Sequence, residues 1–212
     1  MKKKKTKKKI KPIIVLGLGG HAKVLIDILL QTGNKIIGIS DPNENNMKKY
    51  RGLNILSSDS EIYNYSTKDI ELVNGIGLYT HRELSSKLTK KFKQKGYVFA
   101  NVIHPSAYIS TKTKLGYGVQ IMAGAILQTG VSVGNFSIVN TGAIIDHDCL
   151  INESCHISPG VTMCGNVTIG KKTHIGAGST IIENIDIGSK CNIAAGSVIF
   201  KNIISDTKYI KK

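Results

Sequence analysis

The chain has 212 residues, 41% of them hydrophobic, and a formal net charge of +15. That is enough to bury a core and to form two domains, and no apolar run approaches the roughly 18 residues of a membrane span. Eight of the charges are lysines between residues 2 and 11, which leaves +7 for the rest.

Such a block reads as a solvated, disordered arm over residues 1–11. No apolar stretch with a cleavage site follows it, so no signal peptide is expected. No aromatic-rich basic module follows either, so nucleic acid is not an expected partner.

After the arm, Ile13–Leu16 is a short buried strand running into Gly17-Leu18-Gly19-Gly20-His21-Ala22. An amphipathic helix is expected over about 22–31, stopped by Gly33-Asn34, and Lys35–Ser40 is a second strand ending at Asp41-Pro42. A third strand is expected near 70–76, a helix at about 82–95, and a fourth strand near 97–102. Strands alternating with helices imply a small parallel sheet of Rossmann type over residues 12–102. The glycine turn fits G-x-G-x-x-A with Asp41 beyond it, a pattern that suits a dinucleotide. About 90 residues and four strands fall short of a full dinucleotide fold. Gly19 and Gly20 also admit the phosphate of a nucleotide sugar at the helix N-terminus, and a plain strand-to-helix turn is a third reading.

From Ile103 the pattern changes. An apolar residue stands at every sixth position, from Ile103 through Ile109, Leu115 and Ile121 to Ile199. A period of six is neither helical nor that of a half-buried strand; it is the period of a parallel β-helix of hexapeptide repeats. Three sixes make one 18-residue triangular coil, with the apolar first position inward and a small fifth position near the inner corner. Gly, Asn or Asp at positions such as Gly134, Asp146, Asn152, Gly170, Gly176 and Gly188 are expected to supply the tight turns. The expected domain is 103–204, followed by a tail, 205–212.

Cys149, Cys155 and Cys191 occupy fifth positions, where a thiol is a compact apolar filler. Cys149, Cys155, His156 and Cys164 form no C-x-x-C pair, so no metal site is expected. The free thiols suit a reducing compartment and a cytoplasmic location.

Asp146-His147-Asp148 is the only histidine of the repeat flanked by acids. A histidine titrates near neutrality and an adjacent carboxylate can fix its tautomer, which suits a general base. Gly165, 18 residues after His147, belongs one coil above on the same corner. His156, nine residues on, belongs half a coil away and out of reach of His147 in its own subunit. Ile126 and Ile144 stack on one outward face, so a symmetric trimer with sites at its interfaces is expected. His81, His104 and His174 lack acidic neighbours and read as structural. The inward cysteines are poor nucleophiles, so direct attack without an acyl-enzyme is expected.

Taken together, Gly17 to Val24, Val73-Asn74-Gly75-Ile76-Gly77, Ile103-His104-Pro105-Ser106-Ala107, and Asn140 through Cys149 with His156 resemble a known family. It is the sugar acyltransferases typified by sialic acid O-acetyltransferases and the bacillosamine- and perosamine-pathway N-acetyltransferases. The resemblance implies an α/β Rossmann-like N-terminal domain followed by a left-handed parallel β-helix. It also implies a trimeric, acetyl-CoA-dependent enzyme with its active site between adjacent β-helices and a nucleotide sugar on the N-terminal domain. By the same resemblance His147 is the general base and Asp148 its orienting carboxylate, and Asn140 lies near the acceptor. His156 contacts the thioester carbonyl, Gly165 and Ala195 meet the pantetheine arm, His21 contacts the sugar, and Asp41 meets the nucleoside. The tail lacks the family's Gly-Val-Pro-Ala-Lys ending, and the lysine arm has no counterpart in it. The expected acceptor is the amine of a nucleotide-linked 4-amino-4,6-dideoxy sugar. Sialic acid or its CMP form as an O-acetylation acceptor is the alternative. Two readings of other classes are a non-catalytic trimeric scaffold and an NAD-dependent enzyme using the glycine turn.

Overall fold

The computed structural model describes residues 11–43, 53–78 and 81–210. The expected lysine arm therefore lies, apart from Lys11, outside the described residues.

The chain begins with β1 (Ile13–Leu16), whose four residues are all buried, as in a parallel strand covered on both faces. Helix α1 (Gly20–Gln31) follows, then β2 (Ile36–Ser40), β3 (Ile55–Leu56), a 3₁₀ turn over Asp59–Asn64, β4 (Glu71–Asn74) and α2 (Arg82–Gln94). The four strands form a parallel sheet in the order β3-β2-β1-β4. Apolar residues at helical spacing on α1, including Ala22, Leu25, Ile26 and Leu29, cover one face of the sheet. Phe92 of α2, with Tyr97 and Phe99, covers the other.

One sequence expectation changes here. The segment 97–102 is not a fourth strand of this sheet: only Phe99 forms a single bridge to Leu72. Val102–Ile103 instead pairs with Gln120–Ile121 as the first rung of the next unit. The edge strand beside β2 is the short β3, which has too few residues to show a period.

From Val102 the chain winds as a left-handed parallel β-helix. Its two-residue strands form three sheets of seven, six and five strands. Partners across each rung are 18 residues apart over almost the whole domain, as in Ile126↔Ile144↔Thr162 and Gln120↔Ile138↔His156. The hexapeptide apolar residues, among them Ile121, Leu127, Val139, Ile145 and Ile157, are fully buried in one continuous core.

The corners correct a second expectation. Left-handed backbone recurs every six residues from Gly118 to Gly196, and its occupants include Phe136, Asp148, Ser154 and Asn166 as well as glycine. Gly134, Gly170, Gly176 and Gly188 are not among them. A Cβ at Gly134 would lie 2.6 Å from the backbone of Asn152, and one at Gly170 2.4 Å from that of Gly188. These glycines give stacking room between coils, and the turn is made elsewhere in the repeat.

The two units share a core. Val102, Met122 and Ile138 pack into the cluster that holds α1, and Phe136 sits edge-on to Phe99 at 5.2 Å. The seven-stranded face therefore runs from beneath α1 upward, with outward residues Val102, Gln120, Ile138, His156, His174, Asn192 and Lys208 in one column.

Candidate active site

Two polar centres lie on the β-helix. The first is at the corner after Ile144–Ile145. Asp148 holds left-handed backbone there, φ 59°, a conformation that Asp adopts more readily than most side chains. This turn swings its carboxylate back to the preceding residue, and Asp148 Oδ2 stands 3.0 Å from His147 Nδ1. Asp146 Oδ1 accepts the His147 backbone N–H at 2.7 Å. A carboxylate on Nδ1 fixes the proton there, so Nε2 is the accepting atom. Both side chains are more than half exposed.

Neighbouring coils bracket the pair with glycines. A Cβ at Gly165 would lie 2.5 Å from His147 Nε2, and one at Gly130 would lie 2.1 Å from Asp148 Oδ1. Gly165 thus stands against the imidazole, one coil above it.

The second centre lies on the seven-stranded face. Asn140 Oδ1 accepts the Thr141 N–H at 2.8 Å, which turns its amide Nδ2 toward His156 Nε2, 3.2 Å away. With Nε2 accepting, the His156 proton falls on Nδ1. That nitrogen is buried and has no hydrogen-bond partner among the described residues. His174 stands directly above His156, ring centroids 5.1 Å apart at 63°.

Below them, His21 Nε2 meets Gln120 Oε1 at 2.6 Å, and Gln120 Nε2 donates to the Asn74 carbonyl at 2.7 Å. The glycine turn is thereby tied to the β-helix, and burial lowers the His21 pKa. Asn74 in turn donates to Ser85 Oγ and Thr89 Oγ1, at 2.8 and 3.0 Å, which ties the body of α2 to β4.

Burial drives His156 down to about 3, helped by His174, His21 and Arg82, and His174 to about 4, helped by Arg82. Both are therefore neutral in the fold, while the unfolded chain protonates them near 6.5. Because the unfolded state then binds more protons, stability is full above about pH 6.5 and falls as pH drops toward 4. The urea midpoint is expected to decline across that window, and a His156→Asn/His174→Asn double variant to flatten the decline.

The remaining expected residues are placed as follows. An added Cβ at Gly19 or Gly20 would meet nothing within 4 Å, so the space above the turn is open. Asp41 is buried, and its carboxylate accepts from the Leu18 and Asn43 backbone N–H groups at 2.6 and 2.8 Å. It therefore shapes the glycine turn. Ala195 lines a cleft of about 500 Å³ with Ser158, His174, Gly176 and Tyr209.

Within one chain the structure joins His147 with Asp148 and Gly165, and Asn140 with His156. It does not join the two centres, which sit on different faces. Sequence reading missed Gln120 and Arg82 and took His174 as solitary. The 18-residue step from 120 through 138 and 156 to 174 is the signal that places Gln120 and His174 in one column with His156; Arg82, on α2, carries no such signal.

The fifth-position cysteines point inward. Burial pushes the Cys149 thiol up to about 11 and that of Cys155 up to about 12. Neither supplies thiolate at neutral pH, so Cys149→Ala and Cys155→Ala are expected to keep most turnover. A folded variant without chemistry would contradict this. No group of three or more His, Cys, Asp or Glu side chains among the described residues is arranged to hold a metal. No helix among them is long and apolar enough to cross a membrane.

Comparison with known proteins adds to this geometry. Residues 12–87 match the PglD N-terminal domain family, and residues 148–183 and 166–201 match the bacterial transferase hexapeptide family of six repeats. A histidine-to-asparagine variant of perosamine N-acetyltransferase from Caulobacter crescentus, in complex with CoA and GDP-perosamine, is 31% identical. The match covers 92% of this chain and 91% of that one, with a TM-score of 0.82. The acetyltransferase domain of PglB from Neisseria gonorrhoeae, in complex with acetyl coenzyme A, is 28% identical over 92% and 93% of the two chains, with a TM-score of 0.83. A curated relative, the uncharacterized protein L142 of Acanthamoeba polyphaga mimivirus, is 31% identical over 127 residues, and the match spans about a quarter (24%) of its length. With this fold, these two domain matches and a full-length relative above 30% identity, the chain belongs to the hexapeptide-repeat sugar acyltransferases that carry a PglD-type N-terminal domain.

Proposed function

We propose that the chain is an acetyl-CoA-dependent N-acetyltransferase acting on the amine of a nucleotide-linked 4-amino-4,6-dideoxy sugar, in surface-glycan assembly. The observation that carries the reading is the His147–Asp148 pair, with Nδ1 held by the carboxylate and Nε2 left to accept a proton beside Gly165. The likeness to a protein crystallised with CoA and GDP-perosamine supports the substrate class.

In this reading the N-terminal unit, 12–102, holds the nucleotide sugar through the open turn at Gly19, Gly20 and His21. The β-helix, 103–204 with a last rung at Lys208–Tyr209, carries acetyl transfer. Acetyl-CoA lies along the seven-stranded face, past His156 and Ala195. His147 Nε2 takes a proton as the amine nitrogen attacks the thioester carbonyl. His156 meets the thioester carbonyl, the contact that the family resemblance implies, and stabilises the oxyanion as it forms. Collapse of the tetrahedral intermediate breaks the C–S bond, and the proton on Nε2 goes to the departing thiolate.

His147 and His156 serve one acetyl group only if a neighbouring protomer supplies one of them. We therefore assign a homotrimer. The outward apolar run Tyr108, Ile126 and Ile144 on the six-stranded face supplies contact area for it. The buried free cysteines fit a cytoplasmic location.

Thiol release from acetyl-CoA tests the reading against a panel of UDP- and GDP-linked 4-amino-4,6-dideoxy sugars, sialic acid and CMP-sialic acid. Release with an amino sugar supports it and names the nucleotide. Release with sialic acid alone replaces it with O-acetylation.

A further inference from the structure

Arg82 opens α2, and its side chain is half-buried at the head of a cleft of about 770 Å³ between α2 and the upper coils of the β-helix. Its Nε–H donates to the Leu78 carbonyl at 3.2 Å. None of the ion pairs among the described residues includes it. Burial without a counter-ion lowers its pKa. A half-buried guanidinium gains from a carboxylate or phosphate facing it, and no carboxylate of the described residues lies within ion-pair distance of this one.

The rest of the cleft has the same bias. Lys87, Lys190 and Lys208 line it against Glu83 and Asp206, and Asp206 already lies 3.7 Å from Lys190 Nζ. The first turn of α2 has no side-chain cap, so its free N–H groups add to the positive end of the helix. Arg82 also acts electrostatically on His156 and His174, which places it beside the second polar centre.

We infer that this cleft is a phosphate-ester site anchored by Arg82, whose planar fork suits two phosphate oxygens at once. The ester is either the diphosphate of the nucleotide sugar or a phosphate of CoA. The inference rests on the proposed function but is tested by binding and not by turnover.

The test is calorimetry on the full chain with GDP, UDP, CoA and 3′-dephospho-CoA. It compares the wild type with Arg82→Gln, Arg82→Lys and the distant exposed control Lys112→Gln. Arg82→Gln is expected to weaken a phosphate ligand about tenfold to a hundredfold, the size of a lost charge-assisted pair. Arg82→Lys should recover only part, and the control should match wild type. Loss confined to GDP or UDP assigns the diphosphate. Loss for CoA, with 3′-dephospho-CoA indifferent to the change, assigns the 3′-phosphate.

Wild-type affinity for every ligand in Arg82→Gln overturns the site and leaves the proposed function standing. Arg82-dependent binding in a protein that transfers no acetyl group does the reverse. An Arg82→Gln protein that keeps its affinities but sediments as a smaller assembly also overturns the site, by assigning Arg82 to an intersubunit ion pair. A wild type that binds none of the four ligands overturns it as well.

Discussion

Replacing His147 by alanine is expected to lower kcat by about 10²–10⁴-fold, the range for loss of a general base, with the fold and acetyl-CoA affinity retained. The side chain is more than half exposed and belongs to no core, so truncation removes chemistry without removing packing. The residual rate comes from positioning and from oxyanion donors, which alanine leaves in place. Asp148→Asn is the companion change. Asparagine tolerates the left-handed backbone at this corner, so the variant tests the carboxylate's charge and not the turn. It should lower kcat with little change in KM. Steady-state kinetics with circular dichroism on both variants check this, and a folded His147→Ala enzyme of wild-type rate would remove His147 from the mechanism.

Gly165→Ala is expected to cost about 10²-fold in turnover, because misplacing a catalytic group by about 1 Å has that effect. The new methyl would stand 2.5 Å from both Cε1 and Nε2 of His147. Being exposed, the ring yields by swinging outward, so the cost falls on geometry and little on stability. Thermal melting should therefore stay near wild type while kcat falls. Gly178→Ala gives the contrast: a Cβ there meets nothing within 4 Å, although its φ of +65° is unfavourable for alanine. It should lose stability and keep turnover per folded molecule. Were Gly165→Ala as active as wild type, the coil above His147 would play no part in placing the ring.

The β-helix was legible because one rule sets each inward position: a six-residue period buries Ile121, Leu127 and Ile157 alike. The same arithmetic placed Gly165 over His147 and stacked Ile126 against Ile144. It did not place the turns. Left-handed backbone falls on Phe136, Ser154 and Lys172 as well as on glycine, so composition alone does not mark the corner. The visible glycines Gly134 and Gly170 answer instead to contact between coils.

The N-terminal unit was legible where its strands are long and doubly buried, as at Ile13–Leu16. It was opaque at Ile55–Leu56, two residues without a period, and at Val102, whose partner is 18 residues ahead in another unit. His147 and Asp148 announced themselves by adjacency. Arg82 and His174 did not, because their environment is assembled from α2 and two coils of the β-helix, and only tertiary packing brings these together.

The most direct measurement is intact mass spectrometry of one quenched reaction, reading protein and nucleotide sugar in the same sample after mixing with acetyl-CoA. The account predicts that the amino sugar gains one acetyl group, that the protein gains none at any time point, and that with His147→Ala the sugar gains its acetyl group at least about a hundredfold more slowly. An acetyl group on the protein before it reaches the sugar would contradict direct transfer, and an unmodified sugar across the nucleotide panel would contradict the proposed activity itself.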